Sequence, residues 1–445
     1  MPESSRKRSA LRPVQILAGS FVLLILAGAG LLMLPECHAP GQTITFLDAL
    51  FTATSAVCVT GLIVVDTATA WTRTGQVVIL LLIQFGGIGI VSFGALFAIL
   101  LGQKISFRQR QLLKEQYGQV TVVNILNIIP VVAVTTLVIE ILGVIALLPV
   151  FVPQFGVAVG IWHAVFHAVS AFCNAGFSTF PNSLEYYTGD LWVNSIICAL
   201  IVTGGLGFPV IAELIERRTH RRRLSLHARV VLLSSGVLIL VGAVALFIIE
   251  MLFTTDFGDL PLLSRIFASV FQSITSRTAG FNTIPIGHLA PASLLIIVFL
   301  MFIGGSPSGT AGGIKTTTFV ASIAAILSVL RGQTEVNLLD RRLERNNVRR
   351  ALVLVVLAAI ILSAGLFFLL IFGSGDLLKL LFELVSAFGT VGLSTGITSS
   401  LTTGQRIVII LTMFLGRLGP MTFALALARP RAQQVRFPET NLLTG

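Results

Sequence analysis

Four short stretches of the chain share one aromatic, one hydroxyl and one glycine at fixed spacing, a combination that can arrange backbone oxygens but supplies no nucleophile or metal cage. They read FTATSAVCVTGL (Phe51 to Leu62), FHAVSAFCNAGF (Phe166 to Phe177), FQSITSRTAGF (Phe271 to Phe281) and FELVSAFGTVGL (Phe382 to Leu393). Ser55, Ser170, Thr275 and Ser386 each follow the phenylalanine by four positions, and Gly61, Gly176, Gly280 and Gly392 follow five or six positions later. Three copies continue alike, through Ser178 and Thr179, Asn282 and Thr283, and Ser394 and Thr395. The glycines recur roughly every 104 to 115 positions. Glycine lets a chain turn through φ values closed to other residues and aim carbonyl oxygens to one side. Four such loops around one axis, Val59, Thr60 and Gly61 with Asn174, Ala175 and Gly176, Thr278, Ala279 and Gly280, and Thr390, Val391 and Gly392, form a carbonyl ring that replaces the hydration shell of a small monovalent cation. The C-terminal ends of the preceding helices add partial negative charge. No carboxylate lies in the loops themselves. The alternative is that the small residues only let membrane helices pack closely.

Such loops need an apolar frame. The 445 residues are 55% hydrophobic and 11% charged, with a mean hydropathy of +0.94, far from the roughly 25% charged content of soluble domains. Apolar runs long enough for roughly 30 Å of hydrocarbon lie near 14–34, 76–101, 121–152, 191–215, 226–253, 291–331 (interrupted), 348–373 and 404–428. These make eight spans in four pairs, of which the third pair alone is read as broken. Segments near 46–58, 160–173, 262–275 and 376–388 are too short to cross and read as re-entrant half-helices. The expected fold is an all-α membrane protein of four helix, pore loop and helix repeats around a pseudo-fourfold central pore. The repeats run over 14–115, 121–218, 226–331 and 348–430, with cytoplasmic termini at 1–13 and 431–445. The basic start resembles a secretory signal, but the apolar run is about 20 residues long, lacks a cleavage site and ends at Pro35, so it reads as the first span.

Charge orients the spans. Arg6, Lys7, Arg8 and Arg12, then Lys104 to Lys114, Arg217 to Arg229, Arg331 to Arg350, and Arg429, Arg431 and Arg436 alternate with connections bearing Glu36, Asp48, Asp66, Glu185, Asp190, Asp256, Asp259 and Asp376. The basic segments belong to the cytoplasm and both termini lie inside. Arg73, Arg265, Arg277 and Lys379 are the basic residues assigned to the outer side. The outer acids read either as solvated loop charge or as a weak cation-attracting vestibule. The net charge of +11 follows this topology and does not indicate nucleic acid, since few aromatics are interleaved with the basic clusters. Cys37, Cys58, Cys173 and Cys198 have no metal or redox spacing and read as small core residues.

The second spans carry FGGIGIVSFG (Phe85 to Gly94), TGGLGFPVIAE (Thr203 to Glu213), IGGSPSGTAGGIKTTTF (Ile303 to Phe319) and LGRLGPMTF (Leu415 to Phe423). In the third, Gly304, Gly305, Ser306, Pro307, Ser308, Gly309, Thr310, Ala311, Gly312 and Gly313 cannot stay helical. A loop inside the membrane (304–316) is tolerable only beside water. Below the filter it obstructs the pore until moved; the alternative is a Pro-Gly kink fitting crowded helices. Arg417 lies midway along the last span, where an ionised group is expensive, and reads as a barrier or a partner for the loop, or else as an arginine snorkelling to the interface. Lys315 binds loop carbonyls or faces the cytosol.

An inverted-repeat secondary transporter would show halves of opposite topology and a pair of interrupted helices. A membrane metalloenzyme would need more than the helical pair His163 and His167, which also suits pore-helix packing. No Walker or dinucleotide fingerprint is present.

The fourfold pattern, with one filter glycine after each Ser- or Thr-bearing pore helix, resembles the Trk/Ktr/HKT superfamily of potassium transporters over about residues 14–430. The resemblance implies a bacterial inner-membrane potassium-uptake subunit, not an enzyme, whose filter glycines are Gly61, Gly176, Gly280 and Gly392. It implies a gating loop at the matching place in the third repeat and a constriction that includes Arg417. In plant relatives serine in the first glycine position goes with sodium selectivity, so Gly61 favours potassium; the alternative is a sodium-selective or sodium-coupled transporter of the same fold. The resemblance also implies a homodimer, a cytosolic ring of nucleotide-binding regulatory subunits docked on the basic loops, no cofactor in the chain, potassium as substrate and sodium as a candidate activator.

Overall fold

The computed structural model describes residues 13–89, 92, 122–220, 223–254, 257 and 260–420. The basic segment from Lys104 to Lys114 and the termini 1–12 and 431–445 lie outside the described residues. Four long helices, Pro13–Leu32, Val122–Phe155, Leu226–Phe253 and Arg345–Phe372, open the four repeats. Each is long and apolar enough to cross a membrane, and each turns large apolar side chains such as Leu23, Val134, Leu240 and Phe367 outward, as a helix solvated by lipid does.

Four shorter helices lie inside this frame: Phe46–Val57, Val157–Phe172, Leu262–Thr275 and Leu377–Gly389. With 12 to 16 residues they rise about 18–24 Å, less than the bilayer core, so they enter and stop. Their faces are the core of the molecule: Phe51, Phe166, Phe271 and Phe382 are each at most 1% exposed. The first starts with a capping box between Thr45 and Asp48, and the fourth with Asp376 accepting from the Lys379 amide, so both begin where donors would otherwise be orphaned.

The second spans differ from the sequence expectation. The helices Arg73–Ile88, Leu191–Leu206, Pro291–Phe302 and Thr403–Leu418 are 12 to 16 residues long. The interruption is therefore not confined to the third repeat. Gly89, Gly207 and Gly419 end the other three helices with φ of 94°, 90° and 83°, and Phe208–Arg217 leaves Leu191–Leu206 at 101°. Three residues before each break stands another glycine whose absent side chain is required. A Cβ at Gly86, Gly204 or Gly416 would fall 2.0, 1.9 or 2.0 Å from the carbonyl oxygen of Val57, Phe172 or Phe388, near the end of the same repeat's pore helix. The paired glycines seat each second span on its pore helix and then turn the chain. In the third repeat the turn expands into the non-helical stretch 303–315, before Thr316–Leu330 resumes, so helix begins at the last residue assigned to the loop.

Of the acids assigned to the outer side, Asp256 and Asp259 lie outside the described residues, and four others make contacts within the protein. Asp190 and Asp376 are N-caps, Asp66 accepts from Ala68 N and Thr69 Oγ1, and Asp48 pairs with Arg406 at 2.7 Å. That last contact ties the fourth repeat to the first and closes the circle. Arg277 was assigned to the outer side; instead it lies against the third long helix, its Nη2 donating to Ser235 Oγ at 3.2 Å.

Candidate functional site

The four glycine loops meet. A Cβ built on Gly61 would fall 2.5 Å from the Ala175 carbonyl oxygen, on Gly176 2.8 Å from that of Ala279, on Gly280 2.4 Å from that of Val391, and on Gly392 2.1 Å from that of Thr60. Each loop therefore presses the carbonyl before its glycine against the glycine of a neighbouring repeat, and the series returns to its start. Only residues without side chains close such a ring.

The backbone reaches this form by a repeated left-handed step. Val59, Asn174, Thr278 and Thr390 have φ of 57°, 59°, 77° and 50°, and the glycines two residues on have 93°, 69°, 80° and 93°. Two positive φ values flanking one ordinary residue turn the strand sharply, at a cost that non-glycine residues bear only where neighbours over-determine it. The template hydroxyls provide that constraint. Ser55 Oγ and Ser386 Oγ accept from the amides of Gly61 at 3.0 Å and Gly392 at 3.1 Å, while Ser170 Oγ and Thr275 Oγ1 donate to the carbonyls of Phe177 at 2.8 Å and Phe281 at 2.6 Å. The shorter spacing in the third repeat has a visible cause: Ala279 N bonds Thr275 O, whereas Thr60, Ala175 and Val391 reach back five residues to Ser55, Ser170 and Ser386. The hydroxyls of Thr60, Thr278 and Thr390 are buried without a partner.

Beyond the four glycine loops, the loop of the third repeat is packed into the break of the second. Ser306 N and Thr310 N donate to Gly205 O at 3.0 Å and Gly204 O at 3.2 Å, and Phe208 N donates to Ser308 O at 3.2 Å. Pro307 O lies against Gly207, where a Cβ would be 2.4 Å away. The loop also touches two of the glycine loops: Thr310 Oγ1 meets the Asn174 amide at 3.1 Å, and Gly312 abuts Thr390 Oγ1. Lys315 Nζ donates to Ala311 O at 2.6 Å, which holds the loop in a closed turn; of its two expected roles, this is the one with a contact. Gly304, Gly305, Gly309 and Gly313 complete the loop, with Ile303 bridged to Ile314.

Arg417 occupies the place in its motif that Gly87, Gly205 and Gly305 hold in theirs. Its guanidinium donates to the carbonyls of Thr310 and Gly86, and to Gly87 at 3.3 Å. One side chain from the fourth repeat thus joins the first repeat to the loop of the third, and the snorkelling alternative is set aside. A cavity of about 290 Å³ lies beyond, lined by Phe21, Gly89, Phe208, Lys315, Arg417 and Gly419 among others, so every repeat contributes to its wall.

His163 and His167 have other uses than metal binding. His167 Nδ1 is 2.8 Å from His163 O and Nε2 is 2.9 Å from Ser178 Oγ, and His163 Nδ1 is 2.6 Å from Thr179 Oγ1, so the pair braces the loop after Gly176. Among the described residues no group of three or more His, Cys, Asp or Glu could hold a metal. Cys37, Cys58 and Cys173 are buried, Cys198 is half-buried, and all four are free.

One residue of this region was not singled out from the sequence. Glu383, within the fourth pore helix, is fully buried and its carboxylate accepts from Ser394 Oγ at 2.6 Å, Thr395 N at 2.9 Å and Thr398 Oγ1 at 2.7 Å. A four-way alignment of the template would have exposed it as a polar position in every repeat.

Comparison with known proteins agrees with this architecture. The cation transport protein family TrkH matches residues 2–436. The Ktr system potassium uptake protein B of Bacillus subtilis is 39% identical over 97% of both chains, and the potassium/sodium uptake protein NtpJ of Enterococcus hirae is 38% identical over 99% of both. The crystal structure of the potassium transporter TrkH from Vibrio parahaemolyticus superposes with a TM-score of 0.71 at 18% identity, over 96% of this chain and 87% of that one. A chain of four re-entrant repeats closed around one glycine ring, matched by the family along nearly its whole length, is a multi-pass membrane protein of the TrkH cation transport family.

Proposed function

We propose that the chain takes up potassium through the ring of backbone oxygens from Thr60, Ala175, Ala279 and Val391. The closed series of glycine-to-carbonyl contacts carries this reading, because four converging oxygens from one layer are what a dehydrating monovalent cation requires. The pore helices direct their C-terminal carbonyl ends toward the same layer and favour a cation there. Potassium is the named cargo of the Bacillus subtilis relative, and Gly61 leaves the first loop with the same unobstructed backbone as the other three. The second reading, sodium transport or sodium coupling, is supported by the potassium/sodium name of the Enterococcus hirae relative.

The loop 303–315 and Arg417 form the gate. Arg417 holds the loop by its Thr310 carbonyl while anchored on the carbonyls of Gly86 and Gly87, so the loop stays across the path until that grip is released. Release comes from the cytoplasmic side, where a nucleotide-binding ring docks on the basic connections of a homodimer, with both termini inside.

Potassium and rubidium uptake in proteoliposomes, with Gly280 or Gly392 replaced by serine and sodium as competitor, tests the filter. Reduced uptake with a shift toward sodium is expected; unchanged uptake and unchanged preference would refute the assignment.

A further inference from the structure

The position after the template phenylalanine is polar in all four repeats: Thr52, His167, Gln272 and Glu383. Each is at most 1% exposed. The second and fourth repeats use it in the same way, reaching the hydroxyl two residues beyond the filter glycine: His167 Nε2 is 2.9 Å from Ser178 Oγ, and Glu383 Oε1 is 2.6 Å from Ser394 Oγ. Glu383 also accepts from Thr395 N at 2.9 Å, Thr395 Oγ1 at 3.3 Å and Thr398 Oγ1 at 2.7 Å. In the other two repeats the polar atoms, Thr52 Oγ1 and both Oε1 and Nε2 of Gln272, are buried without partners.

Four equivalent positions thus surround the outer filter loops, and one of them is acidic. Four donors converge on Glu383, which suits the lone pairs of an ionised carboxylate. Among the described residues the ion pairs are Arg342 with Glu335 and Arg406 with Asp48, so no basic side chain neutralises Glu383. A buried anion without a paired cation is costly to keep. We propose that the permeating cation is its counter-charge: Glu383 is a fixed negative charge that sets the cation affinity of the outer filter, and only the fourth repeat supplies it. Its oxygens are occupied by the loop, so it acts on the ion through its field and on the loop through hydrogen bonds. This rests on the filter reading above.

The two actions separate experimentally. Glu383→Gln keeps the size and the acceptor oxygen, and places in the fourth repeat the residue that Gln272 provides in the third. With the full-length chain in proteoliposomes, Glu383→Gln is expected to raise the half-saturating rubidium concentration roughly tenfold, the order of a unit charge's attraction lost at an effective dielectric near 20. Glu383→Asp, which keeps the charge and shortens its reach to the loop hydroxyls, is expected to leave the half-saturating concentration within about twofold of the parent. A half-saturation within about twofold of the parent for Glu383→Gln, or a roughly tenfold rise for Glu383→Asp, overturns the proposal. If Glu383→Gln does not fold, Glu383→Asp decides alone: a near-parental value is expected, and a roughly tenfold rise overturns the proposal. The filter reading fails separately, when serine at Gly280 or Gly392 leaves ion preference unaltered.

Discussion

Replacing Gly392 by alanine, with Gly396→Ala as its control, separates backbone strain from backbone collision. Both glycines lie in the left-handed region, at φ of 93° and 92°, so alanine bears the same conformational penalty of about 1–2 kcal/mol at either site. Their surroundings differ. A Cβ at Gly392 would stand 2.1 Å from Thr60 O and 2.9 Å from Gly61 Cα, whereas nothing lies within 4 Å at Gly396. Ordinary contact begins at 3.4 Å, so the Thr60 carbonyl must recede by about 1.3 Å, beyond the roughly 0.5 Å within which a binding constellation has to be held. Losing one such ligand to a charged group is worth about 1.5–3 kcal/mol, or about ten- to a hundredfold in apparent affinity. Rubidium uptake with sodium competition should therefore show weakened, less selective transport for Gly392→Ala and parental selectivity for Gly396→Ala. Equal behaviour of the two variants, with both proteins eluting as folded species, would refute the carbonyl-ring argument.

Three further outcomes are expected. Deleting residues 309–312, or replacing Arg417 by Gln, removes the grip on Thr310 and should raise basal flux without a regulatory partner; a decrease in a well-folded variant counts against a gate. Asp48→Asn breaks the 2.7 Å pair with Arg406 that closes the fourth repeat on the first, at a cost of about 1–3 kcal/mol; an unchanged thermal midpoint by intrinsic fluorescence would show the pair is not a clamp. In the loop after Gly176, burial pushes the Glu185 carboxyl above the usual carboxylate range, opposed by its bond from Asn282 Nδ2 and by His288. A raised native value means stability present at acid pH and lost as pH rises through it. Glu185→Gln should then raise the thermal midpoint at neutral pH, with the gain vanishing below the ordinary glutamate range; a gain that persists in acid would contradict the sign.

The repeat was legible because its signal is local and fourfold: Phe51, Ser55 and Gly61 recur in type and order, and tight turns against a neighbouring backbone demand glycine whatever surrounds them. The breaks at Gly89, Gly207 and Gly419 were not, since apolar composition runs straight through them and a single glycine in a membrane helix usually signals only close packing. The paired spacing, Gly86 with Gly89 and Gly416 with Gly419, was the available clue. Glu383 was hidden for the opposite reason. Its counterparts Thr52, His167 and Gln272 share polarity and position but no residue type, and what unites them is burial behind the loops. Arg277 follows a pore helix in sequence and so looked external, although its side chain folds back to Ser235. For Arg417 the sequence conveyed cost and depth; its partners are backbone carbonyls, which no residue code announces.

Rubidium located by anomalous scattering in crystals of the full-length protein bears most directly on how the chain conducts. A peak on the axis enclosed by the carbonyls of Thr60, Ala175, Ala279 and Val391 is expected. Ordered rubidium elsewhere in the membrane region, with those oxygens turned into protein packing, would contradict the mechanism.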